Sequence, residues 1–225
     1  MKTTLRHECH LFVTNKCNQE CFHCSYAWLM NRIQGKLDIK KLDKINFNKF
    51  ELITITGGEP GLLSKDIKLE LINYLKHFNK RIQIFTNGTH ILDWPDEISK
   101  LVHIIDFNNI IEAENVSYMI PLTSKTNIED LKKGIDKLRQ IQKIDGYVHI
   151  KNDCISPLSK DKLNSIMKYI GLDFSDENPI VKKSNKLKLE LSSRCIQLDA
   201  LNGDIIHSRI NLSKQCCCTF YNCLS

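Results

Sequence analysis

The sequence lacks any long apolar run. No stretch of its 225 residues approaches the roughly 18 consecutive apolar residues of a membrane-spanning helix. The N-terminus has no apolar core followed by a small-residue cleavage site, which argues against a secretory signal peptide. No internal repeat or low-complexity tract is present, so a repeat architecture is excluded as well. We expect a cytoplasmic protein that has no membrane partner.

A strong excess of charge of one sign is also missing. The formal net charge is +6, and the lysines occur in scattered short pairs such as Lys40-Lys41 and Lys132-Lys133. Such pairs are typical of solvated helix faces, with a phosphate-binding surface as the alternative. We therefore expect no nucleic-acid partner. Hydrophobic residues make up 42% of the chain, which is enough for a large folded domain.

Short apolar runs rich in β-branched and aromatic residues recur along the chain. Six of them predict β-strands, at residues 10–14, 51–56, 81–86, 102–106, 116–122 and 147–153. Helical patterns lie between them and begin at Ser64, at a capping box formed by Thr126 and Glu129, and at Ser159, with Gly171 as a C-cap. Strands that alternate with helices predict a parallel α/β sheet, either open and doubly wound or an incomplete barrel.

Polar and glycine-rich segments lie at the ends of four of the predicted strands. They are the cysteine-rich loop from residue 16, the Gly57-Gly58-Glu59 segment, the Thr86-Asn87-Gly88 segment and Asp106. In either architecture the reactive groups gather at the carboxyl ends of the parallel strands. We therefore expect these four segments to lie near one another.

Cysteine is abundant, with ten residues, and a reducing compartment favours metal ligation or catalysis over structural disulfides. Cys17, Cys21 and Cys24 follow the first predicted strand with the spacing C-x3-C-x2-C. Thiolates suit iron–sulfur clusters, zinc or copper(I). Structural zinc usually takes four ligands, and a bacterial ferredoxin run supplies four cysteines at another spacing. Three thiolates on one loop leave one metal position open for an exchangeable ligand.

The triplet carries His23 directly before its last cysteine, and two further motifs follow it, TGGEP (56–60) and TNG (86–88). Together they resemble the radical S-adenosylmethionine (radical SAM) enzymes over residues 8–155. The resemblance implies a partial (β/α)6 TIM-like barrel over residues 1–173. A cysteine-rich extension would occupy residues 174–225, after a polar segment that reads as a linker.

The resemblance also implies the chemistry. Cys17, Cys21 and Cys24 would hold three irons of a [4Fe–4S] cluster, and S-adenosylmethionine would chelate the fourth. An electron donor such as flavodoxin or ferredoxin would reduce the cluster. The cleaved sulfonium would yield a 5′-deoxyadenosyl radical that abstracts hydrogen from the substrate, while the protein supplies binding and orientation.

Several residues would bind the S-adenosylmethionine. The carbonyls of Gly57 and Gly58 would accept hydrogen bonds from its ammonium group, because glycine lets a backbone approach a ligand closely. Glu59 would order that turn. Thr86 and Asn87 either reach the sulfonium side or cap the strand.

The adenosine contacts follow less directly. Phe22 and His23 would contact adenine through backbone and ring, or else pack as surface rings. Many members place serine or a similar polar residue on the fourth strand to contact the ribose, and in this chain Asp106 and Asn108 are the candidates for that contact. The glycine-rich motif often seen on the fifth strand is absent from VSYMIPL (116–122).

The other cysteines fall into two sets. Cys9 reads as a small core residue, and Cys154 as a buried thiol or a hydrogen donor like that of radical SAM peptide epimerases. The C-terminal set surrounds a predicted hairpin that turns at Asn202-Gly203; it comprises Cys195, Cys216, Cys217, Cys218 and Cys223. This arrangement resembles a truncated SPASM or twitch extension, which implies a second iron–sulfur cluster. A zinc site and unliganded thiols are the alternatives.

The substrate is not specified by any residue pattern. The SPASM-like tail favours a peptide in ribosomal-peptide maturation, although the first predicted strand begins at residue 10 and we expect no leader-recognition domain before it. A small-molecule metabolite, or an enzyme activated by a glycyl radical, are the alternative substrates. A non-catalytic iron–sulfur electron carrier or a zinc-binding module is the alternative outside radical SAM chemistry.

Overall fold

The computed structural model describes residues 8–21, 24, 35–104, 110–111, 113, 115–140, 148–152, 159–170, 195–199 and 204–208. The strands are β1 (Glu8–Phe12), β2 (Leu52–Thr56), β3 (Arg81–Thr86), β4 (Ser99–His103), β5 (Val116–Leu122), β6 (Val148–Asn152), β7 (Cys195–Asp199) and β8 (Asp204–Ser208). The α-helices are α1 (Lys65–Lys76), α2 (Ile128–Gln140) and α3 (Lys160–Ile170). The chain divides into two compact units, residues 1–100 with 192–225, and residues 101–191.

The first unit is built on the strand order β3-β2-β1-β7-β8. The first four of these strands are parallel, and β8 runs antiparallel to β7. Phe12 lies opposite Thr56 in the register, so β1 and β2 end together. The loops that follow β1, β2 and β3 therefore leave from the same edge of the sheet.

One face of this sheet is buried against α1. Alternate strand residues such as Leu11 and Ile53 are fully buried and pack with Leu71, Ile72 and Leu75 of the helix. Spacings of one, three and four residues keep these helix positions on one face. The helix begins as predicted, because the Ser64 hydroxyl accepts a hydrogen bond from the backbone N–H of Ile67. The three strands that precede these loops are therefore anchored in one hydrophobic core.

In the second unit β5 and β6 pair in parallel, and the backbone N–H of Ile104 bonds the carbonyl of Met119. The two helices of this unit are joined by the Tyr169 hydroxyl, which donates to Asp136 at 2.6 Å. The predicted capping box at the start of α2 is wrong. The cap is Asn127, whose Oδ1 accepts from the backbone N–H groups of Glu129 and Asp130. The Thr126 hydroxyl accepts instead from the backbone N–H of Thr123.

The strand predictions are confirmed at β3 and β5, which have the predicted bounds. The fourth strand was predicted at 102–106 but spans Ser99–His103. The displacement arises because Lys100, a residue expected in solvent, is buried, and its ammonium donates to the carbonyls of Pro95 and Ile98.

The C-terminal hairpin is confirmed in its two strands, with β7 and β8 on either side of the predicted turn. The turn itself, Gly171 and the predicted linker lie outside the described residues. The domain division at residues 173 and 174 stays a prediction. Within the described ranges, none of the helices combines the length and apolar character needed to cross a membrane.

Candidate active site

The cysteine loop and the glycine turn are joined through their backbones. Beyond β1, the N–H of Val13 bonds the carbonyl of Thr56 at 3.0 Å. The N–H of Gly58 then donates to the carbonyl of Thr14 at 2.7 Å, and the N–H of Glu59 donates to the carbonyl of Lys16 at 2.7 Å. The pairing of the two strands therefore continues past their ends to the residue that precedes Cys17.

The two glycines are required by this close contact. Gly57 has a φ of +132°, a conformation that residues with a Cβ rarely adopt. A Cβ on Gly58 would lie 2.1 Å from the carbonyl oxygen of Lys16. The approach that the glycines permit is thus to the cysteine loop itself, and their role toward a ligand stays a prediction.

The carboxylate of Glu59 is the centre of the turn. It is 1% exposed, and it accepts hydrogen bonds from the N–H of Gly61 at 2.6 Å, the N–H of Asn87 at 2.6 Å and the hydroxyl of Thr86. Burial raises the pKa of Glu59 above its ordinary value, although the three hydrogen bonds and the charge of Lys68 act in the opposite direction. Glu59 therefore orders its own turn and also binds the loop that follows β3.

Lys68 is the buried cation of this region, and the sequence pattern did not reveal it. The residue occupies the buried face of α1 with no exposed surface, and its ammonium lies 3.0 Å from Oδ2 of Asp93 and 5.5 Å from the ring centre of Trp94. The charge of a desolvated lysine acts over a longer range than that of a solvated one. It thereby supports the ionised form of Glu59.

A second set of hydrogen bonds joins the cysteine loop to the loop after β3. The Asn87 amide donates to Oδ1 of Asn18 at 2.9 Å, and the Asn18 amide donates to Oγ1 of Thr89 at 2.9 Å. Asn18 and Thr89 were not predicted as site residues. No local pattern indicates such a contact, because its partners lie about seventy residues apart in the chain.

The three thiols of the cysteine loop are partly exposed. Cys17 is exposed, Cys21 and Cys24 are half-buried, and none of the three forms a disulfide. The N–H of Cys24 bonds the carbonyl of Cys21 at 2.9 Å, so the backbones of these two residues lie close together. Burial, followed by the nearby Cys24 and Cys17, raises the pKa of the Cys21 thiol to about 11.

These observations are consistent with a loop whose thiolates bind a metal cluster. Thiols close enough to disfavour one another's ionisation are favoured as thiolates once they ligate a metal. Among the described residues, however, no three His, Cys, Asp or Glu side chains are already arranged as metal ligands. The loop brings the predicted ligands together without forming a closed site of its own, and their role as ligands stays a prediction.

The remaining predicted residues divide by position. Cys9 is fully buried in the core, as predicted. Cys195 begins β7, opposite Glu8 at the amino end of β1. The others lie outside the described residues: Phe22, His23, Asp106, Asn108, Cys154, Cys216, Cys217, Cys218 and Cys223.

The three loops lie at one edge of a parallel α/β sheet, and the first of them carries three thiols. Comparison with known proteins identifies the family that has this arrangement. Residues 11–160 match the Radical SAM superfamily. The chain therefore belongs to the radical SAM superfamily, whose members are enzymes that use a [4Fe–4S] cluster and S-adenosylmethionine.

Two curated relatives illustrate the range of this similarity. A probable GTP 3′,8-cyclase of Methanococcus maripaludis (strain S2) is 32% identical over 137 residues, which are 58% of this chain and 45% of the relative. A cysteine-type anaerobic sulfatase-maturating enzyme of Clostridium novyi (strain NT) is 28% identical over 137 residues, 54% of this chain and 35% of the relative. The matched part thus spans less than half the length of either relative.

Solved structures agree on the fold. SuiB of Streptococcus suis bound to S-adenosylmethionine superposes with a TM-score of 0.57 at 12% identity, covering 86% of this chain and 58% of SuiB. Native anSMEcpe with bound AdoMet and Kp18Cys peptide gives 0.55 at 14% identity, covering 73% of this chain and 59% of that chain. Both neighbours are radical SAM enzymes with TIM-like barrels, so the predicted α/β fold class is confirmed. The cysteine-rich extension stays a prediction.

Proposed function

We propose that this chain ligates a [4Fe–4S] cluster through Cys17, Cys21 and Cys24, cleaves S-adenosylmethionine reductively, and acts on a peptide substrate. The observation that carries the proposal is the bond between Glu59 N–H and the carbonyl of Lys16. It ties the glycine turn to the residue directly before Cys17.

Each part of this edge has a proposed task. The three thiolates bind iron, and the carbonyls of Gly57 and Gly58 accept hydrogen bonds from the ammonium of S-adenosylmethionine. Glu59 keeps those carbonyls in place, because its carboxylate is held by donors on two loops. A cluster held by these thiolates would supply the electron for reductive cleavage of S-adenosylmethionine to a hydrogen-abstracting 5′-deoxyadenosyl radical.

The rest of the adenosine site is assigned by family resemblance alone. Phe22 and His23 contact adenine, Asp106 contacts the ribose, and Thr86 and Asn87 lie beside the sulfonium. A flavodoxin or ferredoxin would reduce the cluster. If the reaction is an epimerisation, Cys154 returns a hydrogen atom to the peptide.

A peptide substrate is supported by the proteins of the same fold. SuiB has been solved bound to its precursor peptide SuiA, with a TM-score of 0.53 to this chain, and anSMEcpe with a bound peptide. One curated relative is named as a cysteine-type anaerobic sulfatase-maturating enzyme. These proteins share the fold, or part of the sequence, with this chain.

A nucleotide is the second candidate substrate. The probable GTP 3′,8-cyclase described above matches 137 residues of this chain at 32% identity. Under this alternative the cluster and the glycine turn keep their tasks, and only the substrate changes.

The first experiment tests the common chemistry. Anaerobically reconstituted protein, reduced with dithionite, is expected to convert S-adenosylmethionine to 5′-deoxyadenosine and methionine. Replacing Cys17, Cys21 and Cys24 together with alanine is expected to abolish both products. The matched control is Cys9→Ala, which removes a buried core thiol and is expected to retain them. Turnover that persists in the triple variant would overturn the ligand assignment.

The second experiment separates the two substrates. The Kp18Cys peptide and GTP, each deuterated at carbon, are incubated separately with the reduced protein and S-adenosylmethionine. Deuterium in 5′-deoxyadenosine from the peptide supports the proposal. Deuterium from GTP alone would replace it with the nucleotide alternative.

A further inference from the structure

Asn18 lies directly after Cys17, and both polar atoms of its side chain bond the loop that follows β3. Its Oδ1 accepts from the Asn87 amide and its Nδ2 donates to Oγ1 of Thr89, each at 2.9 Å. The side chain thus spans from the thiol loop to the end of another strand.

The loop that follows β3, which Asn18 contacts, is itself held by several hydrogen bonds. Oδ1 of Asn87 accepts from both the N–H and the hydroxyl of Thr89, at 3.0 and 2.6 Å. The N–H of Asn87 donates to Glu59 at 2.6 Å. A Cβ on Gly61 would lie 1.9 Å from the carbonyl oxygen of Thr89, so the turn after Glu59 is packed directly against this residue. Asn18 is therefore bonded to a loop that has little freedom to follow it.

These contacts hold Cys17 from both sides. Before it, the carbonyl of Lys16 accepts from the N–H of Glu59 at 2.7 Å, and after it Asn18 bonds Asn87 and Thr89. The Cys17 thiol is exposed, so core packing does not hold it in place. The hydrogen bonds of Lys16 and Asn18 therefore contribute to fixing the position of Cys17.

We infer that Asn18 is a positioning residue for the cluster loop. Its carboxamide sets the place of the Cys17 thiolate relative to the end of β3, and so tunes how S-adenosylmethionine binds to the cluster. This inference rests on the proposed function. Groups that orient metal ligands tune the properties of the bound metal, and replacing them alters metal affinity or activity even though the ligands themselves are unchanged.

The Asn18→Ala variant removes both bonds while leaving the three cysteines in place. Loss of one or two neutral hydrogen bonds is expected to weaken S-adenosylmethionine binding by about threefold to tenfold. Binding is measured from the change in the electron paramagnetic resonance spectrum of the dithionite-reduced cluster as S-adenosylmethionine is titrated. Iron content is expected to stay at the wild-type value, and KM for S-adenosylmethionine is expected to rise more than kcat falls.

Thr89→Val provides a nearly isosteric second variant. It deletes the hydroxyl that accepts from Asn18 and donates to Asn87. The variant is therefore expected to reproduce the weaker binding in part, and the double variant should fall short of the sum of the two effects. If Asn18→Ala does not fold, Thr89→Val carries the test alone. The matched control is Asn46→Ala, because Asn46 is an exposed asparagine that caps a 3₁₀ helix through Asn48 N–H.

The outcomes separate this inference from the proposed function. Wild-type protein that binds no cluster, or cleaves no S-adenosylmethionine, contradicts the proposed function. Wild-type protein that is active, with variants whose spectrum, affinity and KM match it, overturns the role of Asn18. A lower melting temperature with unchanged affinity also overturns it, since a merely structural residue would give that result.

Discussion

The carboxylate of Glu59 accepts a hydrogen bond of 2.6 Å from the backbone N–H of Asn87. Glu59 follows β2 and Asn87 follows β3, so one buried side chain ties two strand ends together. The same residue donates its own N–H to Lys16, beyond the end of β1. Three loops that carry the family's motifs thus depend on one glutamate, and its geometry determines what substitutions there will do.

Replacing Glu59 with glutamine is expected to destabilise the fold and weaken S-adenosylmethionine binding together. Whichever way the amide is oriented, its NH₂ faces a backbone N–H, from Gly61 or from Asn87, that can only donate. An unsatisfied buried donor costs about 1–3 kcal/mol of unfolding free energy. Urea unfolding and titration of the reduced cluster with S-adenosylmethionine measure the two effects. The control is Glu51→Gln, at an exposed position, which should change neither.

Gly58→Ala is expected to separate the glycine turn from the cysteine loop. The added methyl group would meet the carbonyl oxygen of Lys16 at 2.1 Å, and both groups belong to the backbone, so one of the two loops must move. Overpacking of this kind costs about 1–3 kcal/mol. Urea unfolding measures that loss, and reconstitution measures the iron retained. Wild-type stability in this variant would show that the close approach is not required.

Glu8 is expected to stabilise the protein in a pH-dependent manner. Burial alone would raise its pKa, but hydrogen bonds from His10 and Thr54 and the charges of His10 and Arg81 outweigh that effect, so the pKa is lowered from 4.5. A lowered pKa in the folded state contributes stability above the unfolded value, and this contribution is lost as the pH falls through the folded value.

Comparison of wild type with Glu8→Gln tests this sign. The difference in unfolding free energy is expected to be about 1.5–3 kcal/mol at neutral pH, because the hydrogen bonds go to a charged group. It should shrink as the pH falls below 4.5. Urea unfolding at several pH values measures it, and a difference that grows on acidification would contradict the assignment.

The sequence was sufficient for features that local chemistry determines. RIQIFT and VSYMIPL alternate or concentrate β-formers, and their bounds as β3 and β5 agree with the structure. The β4 bounds were wrong because Lys100 is buried by contacts that only the fold provides. The site follows the same division. The motif residues are visible as motifs, whereas the link from Asn18 to Thr89 exists only because two distant strand ends lie at one edge.

The structure also bears on where a second cluster would lie. Cys195 is the first residue of β7 and lies opposite Glu8, the first residue of β1, in a parallel pair. The loop with Cys17 follows the other end of β1. A strand rises about 3.3 Å per residue, so Cys195 and the loop with Cys17 lie at opposite edges of the sheet. A cluster held by Cys195 would therefore be separate from the one on the cysteine loop.

The number of irons bound per chain is expected to show that there are two clusters. The wild-type protein should bind about eight irons, and the Cys17, Cys21 and Cys24 triple variant should retain about four, as two cubane clusters require. Cys195→Ala should lose iron yet still cleave S-adenosylmethionine, since the thiol loop is left intact. Cys9→Ala is the control for loss of a buried thiol from the same sheet. A wild-type count of about four, with none left in the triple variant, would rule out the second cluster.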